Sequence, residues 1–151
     1  MLYVDTSAIL KYYRTEKGTD YITEVIEGAE AGKHKLISSI WLILECTAAI
    51  QSWLARRWIT EDVKDELISK LHSDFDLWTS IGSLILEDVH RVLIVEATAL
   101  ITKHSIDPGN AIHLATAIRW KNQIKAILTS DKHLKTAAEK EKIKVIDPEE
   151  K

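Results

Sequence analysis

The feature that most constrains the fold is an alternation between short apolar, β-prone runs and longer segments with helical periodicity. Strand character is found at residues 2–4, 35–39, 83–86, 126–129 and 144–146. Helical patterns occupy residues 6–13, 18–31, 40–58, a segment opening at 60, then 89–104, 108 to about 122, and 132–142. Strands separated by helices pair in parallel, with helices covering both faces of the sheet. The sequence therefore predicts a three-layer α/β/α fold with a central parallel sheet of about five strands.

The length of the chain predicts one domain over residues 1–151. Apolar residues make up 46% and charged residues 28% of the chain, as in ordinary globular proteins. No stretch resembles a signal peptide or a membrane span, so we expect a cytoplasmic protein that has no membrane contact. The single cysteine, Cys46, fits a reducing compartment.

The net charge of −3 argues against a protein that holds nucleic acid by bulk positive charge. It leaves open an enzyme that acts on RNA through bound cations, because such a site is itself acidic.

Three acidic residues stand out by their positions. Asp5 and Asp131 each follow a predicted strand, and the carboxyl ends of parallel strands form the ligand-binding edge of such sheets. Glu45 is the one charge in an apolar segment, so it needs a partner or a cation. Converging carboxylates favour a divalent metal such as Mg²⁺ or Mn²⁺. The alternative is structural: Asp5 and Asp131 could cap helices, and Glu45 could pair with a buried arginine or lysine.

Four segments resemble the motifs of the PIN-domain family, in the order and spacing of that family. They are residues 4–10 (VDTSAIL), 38–45 (SSIWLILE), 110–117 (NAIHLATA) and 128–131 (LTSD). At this length the chain is similar to the VapC-type toxins of that family. The resemblance implies a PIN-like α/β fold and an endoribonuclease that depends on Mg²⁺ or Mn²⁺. It also implies an RNA substrate, an antitoxin partner and a homodimer.

The resemblance assigns roles to individual positions. The catalytic acids are Asp5, Glu45 and Asp131, and the metal site consists of Asp5, Glu45, Asn110 and Asp131. Ser7 and Thr129 correspond to the hydroxyl residues that support these acids.

Asn110 departs from the family pattern, which has aspartate at this position. An asparagine still offers one oxygen to a metal but removes a negative charge. Three outcomes stay open. Asp107, which also suits the cap of the helix that begins at Pro108, could supply the missing charge; one metal held by the remaining acids could be enough; or the nuclease could be weakened.

Several neighbouring residues have both structural and functional interpretations. We expect His113 to be a packed histidine rather than a ligand. We expect Lys11 and Arg14 to be solvated surface charges; the alternative is that they contact RNA phosphates. Arg56 and Arg57 suit the end of the preceding helix, where cations are favoured.

The segment 40–58 is strongly apolar and is expected to form a mostly buried helix. Its tryptophans, Trp41, Trp53 and Trp58, are expected in the core or in an interface with an antitoxin or a second copy.

Three functions are consistent with the sequence. The first is a toxin endoribonuclease. The second is a PIN-scaffold protein with weakened catalysis that acts by binding RNA or protein. The third is a PIN nuclease with a housekeeping role in RNA processing.

Overall fold

The computed structural model describes residues 1–151 and is built on a five-stranded parallel sheet. The strands are β1 (Leu2–Val4), β2 (Leu36–Ser39), β3 (Leu84–Glu87), β4 (Ile127–Leu128) and β5 (Val145–Ile146). Their spatial order is β3-β2-β1-β4-β5, and every neighbouring pair is parallel. The predicted fold class, including the number of strands, is confirmed.

Seven helices connect the strands. They are α1 (Thr6–Tyr13), α2 (Thr19–Glu30), α3 (Trp41–Ala55), α4 (Glu61–Ser80), α5 (Arg91–His104), α6 (Pro108–Arg119) and α7 (Lys132–Lys140). Each corresponds to a segment with the predicted helical pattern, and the ends differ by a few residues because helix termini fray. A short 3₁₀ helix, Pro148–Glu150, follows β5 and was not predicted.

The two faces of the sheet carry separate hydrophobic cores. Neighbouring residues of a strand point to opposite faces. Val4 packs into the core formed with α1 to α4, and Tyr3 packs into the core formed with α5 to α7. In the same way, Leu128 packs into the first of these cores and Ile127 into the second. This division gives the three layers that the alternating pattern predicts.

The topology places the ends of two strands at the centre of the sheet. The chain adds β2 and β3 on one side of β1 and then returns to add β4 and β5 on the other side. The direction of winding therefore changes between β1 and β4, where Val4 is paired with Leu128. In open α/β sheets this switch point opens a crevice beyond the carboxyl ends of the strands.

Helix α3 corrects one expectation. The prediction of a mostly buried helix over residues 40–58 is wrong, because α3 buries only one of its faces. The buried residues are Leu42, Cys46, Ile50 and Trp53. Leu44 is 56% exposed, and Ile40, just before the helix, is 42% exposed. The helix is apolar on most sides, so its sequence carries no signal for which side meets its neighbours. None of the helices combines the length and apolar character needed to cross a membrane.

Candidate metal centre

A cleft of about 370 Å³ lies at the carboxyl edge of β1 and β4. Its polar lining contains most of the residues singled out in the sequence, namely Asp5, Ser7, Glu45, Asp107, Asn110 and Asp131. Thr6, Leu10 and Ala48 complete the lining. Four carboxylates that are far apart in the sequence therefore share one cleft.

Asp5 is 3% exposed and has one oxygen fixed by the protein. Its Oδ2 accepts hydrogen bonds from Ser7 N (3.2 Å), Ser7 Oγ (2.7 Å) and Thr129 Oγ1 (2.8 Å). The bond from Ser7 N makes Asp5 the N-cap of α1. Its Oδ1 lies 3.6 Å from Nε2 of His113 and accepts none of these three bonds. Capping and ligation are thus compatible, because they use different oxygens.

Ser7 and Thr129 also join the loops that follow β1 and β4. Ser7 Oγ accepts a hydrogen bond from Ser130 N at 2.9 Å, and Thr129 Oγ1 accepts one from Asp131 N at 3.0 Å. Because an ionised carboxylate can only accept hydrogen bonds, both hydroxyl groups donate their protons to Asp5. These two side chains hold the Asp5 carboxylate in a single orientation.

Glu45 projects from α3 into the same cleft. Its Oε2 accepts hydrogen bonds from Thr6 Oγ1 and from His113 Nε2, the latter at 2.8 Å. Its Oε1 accepts one from Trp41 Nε1 at 3.2 Å. Burial by itself raises the pKa of Glu45, but the hydrogen bonds and the charge of His113 outweigh burial and lower it. The arginine or lysine partner considered from the sequence is absent, and a histidine takes that place.

His113, on α6, is the residue whose contribution to the site the sequence reasoning missed. It is buried, as expected of a packed histidine, yet it reaches the acids. Its Nδ1 lies 2.7 Å from the hydroxyl of Tyr3, which also accepts a hydrogen bond from Ser39 N. Burial lowers the pKa of His113, but the hydrogen bond to Glu45 and the negative charge of Asp5 raise it overall. The available signal was its position one helical turn after Asn110, on the same side of α6.

Asn110 joins two carboxylates through its amide. The Nδ2 group donates to Asp107 Oδ2 at 2.7 Å and to Asp131 Oδ1 at 3.1 Å. The reverse orientation of the amide would direct its oxygen at two carboxylate oxygens, which repel it. The Asn110 side chain therefore bridges the acids as a donor in this arrangement.

Asp107 and Asp131 both cap helices while lining the cleft. Asp107 Oδ1 accepts from the backbone of Asn110 at 3.0 Å and begins α6. Asp131 Oδ1 accepts from Leu134 N at 2.8 Å and begins α7. Asp131 therefore caps a helix, as the structural alternative predicted, and its carboxylate also lies in the cleft.

Gly109 allows α6 to begin directly against Glu45. A Cβ atom at this position would overlap Glu45 Oε1 and lie 3.3 Å from Asp107 Oδ1. The absence of a side chain therefore lets two of the acids approach each other.

Lys11 differs from both interpretations offered for it. Its side chain is 2% exposed, and its ammonium group pairs with Glu16 at 3.0 Å and Glu149 at 2.7 Å. It is neither a solvated charge nor free to meet a phosphate. It connects α1 to the C-terminal 3₁₀ helix.

The donor set fits a divalent cation. The ligand atoms of Asp5, Glu45 and His113 all lie within 4.8 Å of one another, and Asp107 and Asp131 line the same cleft. Carboxylates gathered so closely repel each other unless a cation or protons neutralise them. Oxygen-rich sites with room for water suit Mg²⁺ and Mn²⁺. His113 is the single basic side chain that contacts the group.

Comparison with known proteins gives one family. The family model of the PIN domain matches residues 2–140. No curated protein matches the chain.

Proposed function

Because the chain belongs to the PIN domain family, whose members are generally nucleases that use divalent metals, we propose that it is an endoribonuclease that hydrolyses RNA phosphodiester bonds. In this proposal the ion is Mg²⁺ or Mn²⁺. We further propose a VapC-type toxin role, with an antitoxin partner and a homodimeric state.

The observation that carries the proposal is the gathering of acids around Asp5. One Asp5 oxygen is fixed by Ser7 and Thr129, and the other lies 3.6 Å from His113 Nε2. The ligand atoms of Asp5, Glu45 and His113 lie within 4.8 Å of one another. A carboxylate fixed on one side only is suited to hold a cation on the other side. An aspartate that served only as the N-cap of a helix would not need the hydrogen bonds from these two hydroxyl groups.

Each residue has a defined part in the proposed chemistry. Asp5, Glu45 and Asp131 would hold the ion, and a bound divalent ion supplies an acidified water and neutralises charge on the phosphate. Ser7 and Thr129 orient Asp5, while His113 orients Glu45. Asn110 can offer its amide oxygen to an ion when its amide turns away from the two carboxylates.

A second candidate function, a weakened nuclease that acts by binding, is favoured by the bridge that Asn110 makes. Its amide occupies one oxygen of Asp107 and one of Asp131, and it replaces a negative charge. Both effects reduce the attraction for a cation, especially for a second one.

The test of the enzymatic proposal is Asp5→Asn. Fluorogenic single-stranded RNA is incubated with wild type, Asp5→Asn and the control Asp20→Asn, which changes an exposed acid in α2. We expect Mn²⁺-dependent cleavage by wild type and the control, and a loss of about a thousandfold in Asp5→Asn, since an ion contributes several kcal/mol to such reactions. Equal rates for all three proteins would contradict the assignment. A wild type that binds RNA without cutting it would support the weakened nuclease.

The toxin role has a separate readout. Expression of wild type in bacteria should arrest growth, and expression of Asp5→Asn should not. Cleavage in vitro without growth arrest would indicate a housekeeping nuclease instead.

A further inference from the structure

Two arginines gather around an exposed tryptophan at the far ends of α1 and α3. The guanidinium carbon of Arg14 lies 4.5 Å, and that of Arg56 5.0 Å, from the ring centre of Trp58. Trp58 is 52% exposed, so it does not lie in the core, and the alternative of an interface position stays a prediction. Neither arginine forms a salt bridge with a carboxylate. We refer to Arg14, Arg56 and Trp58 as the arginine–tryptophan cluster.

The local backbone holds Trp58 in this position. After α3 ends, Arg57 adopts a left-handed conformation with φ of 60°, and its N–H donates to Leu54 O. The N–H of Trp58 then donates to Trp53 O at 2.9 Å. Glycine is the usual residue at such a turn, because a side chain there is strained. The turn brings the indole back beside the end of α1, where Arg14 is the C-cap.

The cluster lies on the same side of α1 and α3 as the acidic cleft, farther along both helices. Leu10 of α1 and Ala48 of α3 line that cleft, and the two helices pack together. Arg14 is one helical turn beyond Leu10, and the end of α3 is about two turns beyond Ala48. At 1.5 Å per residue, Arg14 is about 13 Å along α1 from Asp5. A strand bound at the acids can therefore reach the cluster with a neighbouring nucleotide.

The charge of the protein gives a reason for RNA to be bound at a second place besides the acidic cleft. The acidic cleft repels phosphates unless a cation is present, and the chain as a whole carries a net charge of −3. Unpaired guanidinium groups bind phosphate oxygens in a fork geometry. An exposed aromatic ring stacks on an unpaired base of any sequence. Both groups occur together in this cluster, and this combination matches single-stranded nucleic acid better than it matches an apolar protein helix.

We propose that the arginine–tryptophan cluster is a subsite for single-stranded RNA. Arg14 and Arg56 turn from the ring of Trp58 to bind phosphates, and an unpaired base stacks on the ring face that they leave. The nucleotide held there flanks the one at the acidic cleft. This inference rests on the proposed nuclease function for the identity of its ligand.

The test measures binding separately from cleavage. Fluorescein-labelled, random-sequence single-stranded RNA is titrated into Asp5→Asn protein, and anisotropy gives the Kd at several salt concentrations. Trp58→Ala in that background should weaken binding about tenfold, and Trp58→Phe should restore most of the loss, since phenylalanine also stacks. Arg14→Gln should lower the slope of log K against log salt by about 0.7, which corresponds to one phosphate contact on a single strand.

Arg91→Gln is the matched control, because Arg91 is an exposed, unpaired arginine on α5. It should leave both the Kd and the salt slope unchanged. Circular dichroism melts check that every variant is folded. If Trp58→Ala and Arg14→Gln bind RNA as tightly as Arg91→Gln does, or if the parent protein binds no RNA, the subsite is refuted. Binding that depends on the cluster in a protein that never cleaves RNA would refute the nuclease function and keep the subsite.

Discussion

Replacing Asn110 by aspartate should destabilise the protein without metal and increase its response to Mn²⁺. In the wild type, the amide donates to Asp107 Oδ2 at 2.7 Å and to Asp131 Oδ1 at 3.1 Å. Aspartate would place a carboxylate oxygen where a donor now lies. Asn110 is 8% exposed, so water screens this repulsion poorly.

The size of the effect follows from two contributions. Each lost hydrogen bond to a charged group costs about 1.5 to 3 kcal/mol. Two carboxylates about 3.5 Å apart repel by up to about 5 kcal/mol at an effective dielectric constant of 20. Uptake of a proton by the cluster limits that second contribution. The two lost bonds alone set a loss of at least about 3 kcal/mol in the free energy of unfolding. For a chain of this size, that loss corresponds to a Tm lower by at least about 6 °C.

Mn²⁺ should reduce this difference in stability without removing it. A divalent ion meets one more carboxylate in Asn110→Asp, and a tenfold gain in affinity adds about 1.4 kcal/mol to the stabilisation by a saturating ion. Thermal unfolding in EDTA and at increasing Mn²⁺ measures both effects, and titration calorimetry gives the Kd.

Two further variants separate the effect of the lost hydrogen bonds from the effect of the added charge. Asn110→Ala removes the hydrogen bonds without adding charge, so it should lose stability and gain a smaller Mn²⁺ response than Asn110→Asp. Asn122→Asp makes the same chemical change at an exposed position and should alter neither quantity. An Asn110→Asp protein with the wild-type Tm in EDTA would show that the amide does not bridge the acids. An unchanged Kd for Mn²⁺ would show that the side chain at position 110 points away from the ion.

Two other predictions concern the surroundings of the site and the stability of the fold. Gly109→Ala should displace the Glu45 carboxylate, because a Cβ atom would overlap it; calorimetry should show about tenfold weaker Mn²⁺ binding with little change in Tm, since alanine is a better helix former. Unchanged affinity would mean that Glu45 does not bind the ion. Glu141 has a lowered pKa because Lys103 and then His104 donate to it. Its contribution to stability is complete above its ordinary pKa of 4.5 and is lost as the pH falls below that value. In urea unfolding between about pH 3 and pH 6, Glu141→Gln should show a weaker loss of stability toward acid than wild type; parallel curves would argue against this pairing.

The sequence by itself determined the elements and their class. Period-2 and period-3.6 patterns report which backbone conformation buries apolar side chains, and that information is local. The same local logic placed Asp5 and Asp131 directly after strands, where a parallel sheet brings residues to one edge. Asp107 could be recognised as a cap because capping depends on only three or four following residues.

The tertiary structure alone decided which partners these residues meet. The pairing of Glu45 with His113 joins α3 to α6, and the donor role of Asn110 depends on where the loop after β4 places Asp131. The exposed side of α3 and the meeting of Arg14 with Trp58 also arise from helix packing. Such contacts join residues that are distant along the chain, and their geometry is set by the order of the strands and by how the helices cover the sheet, which no local pattern encodes.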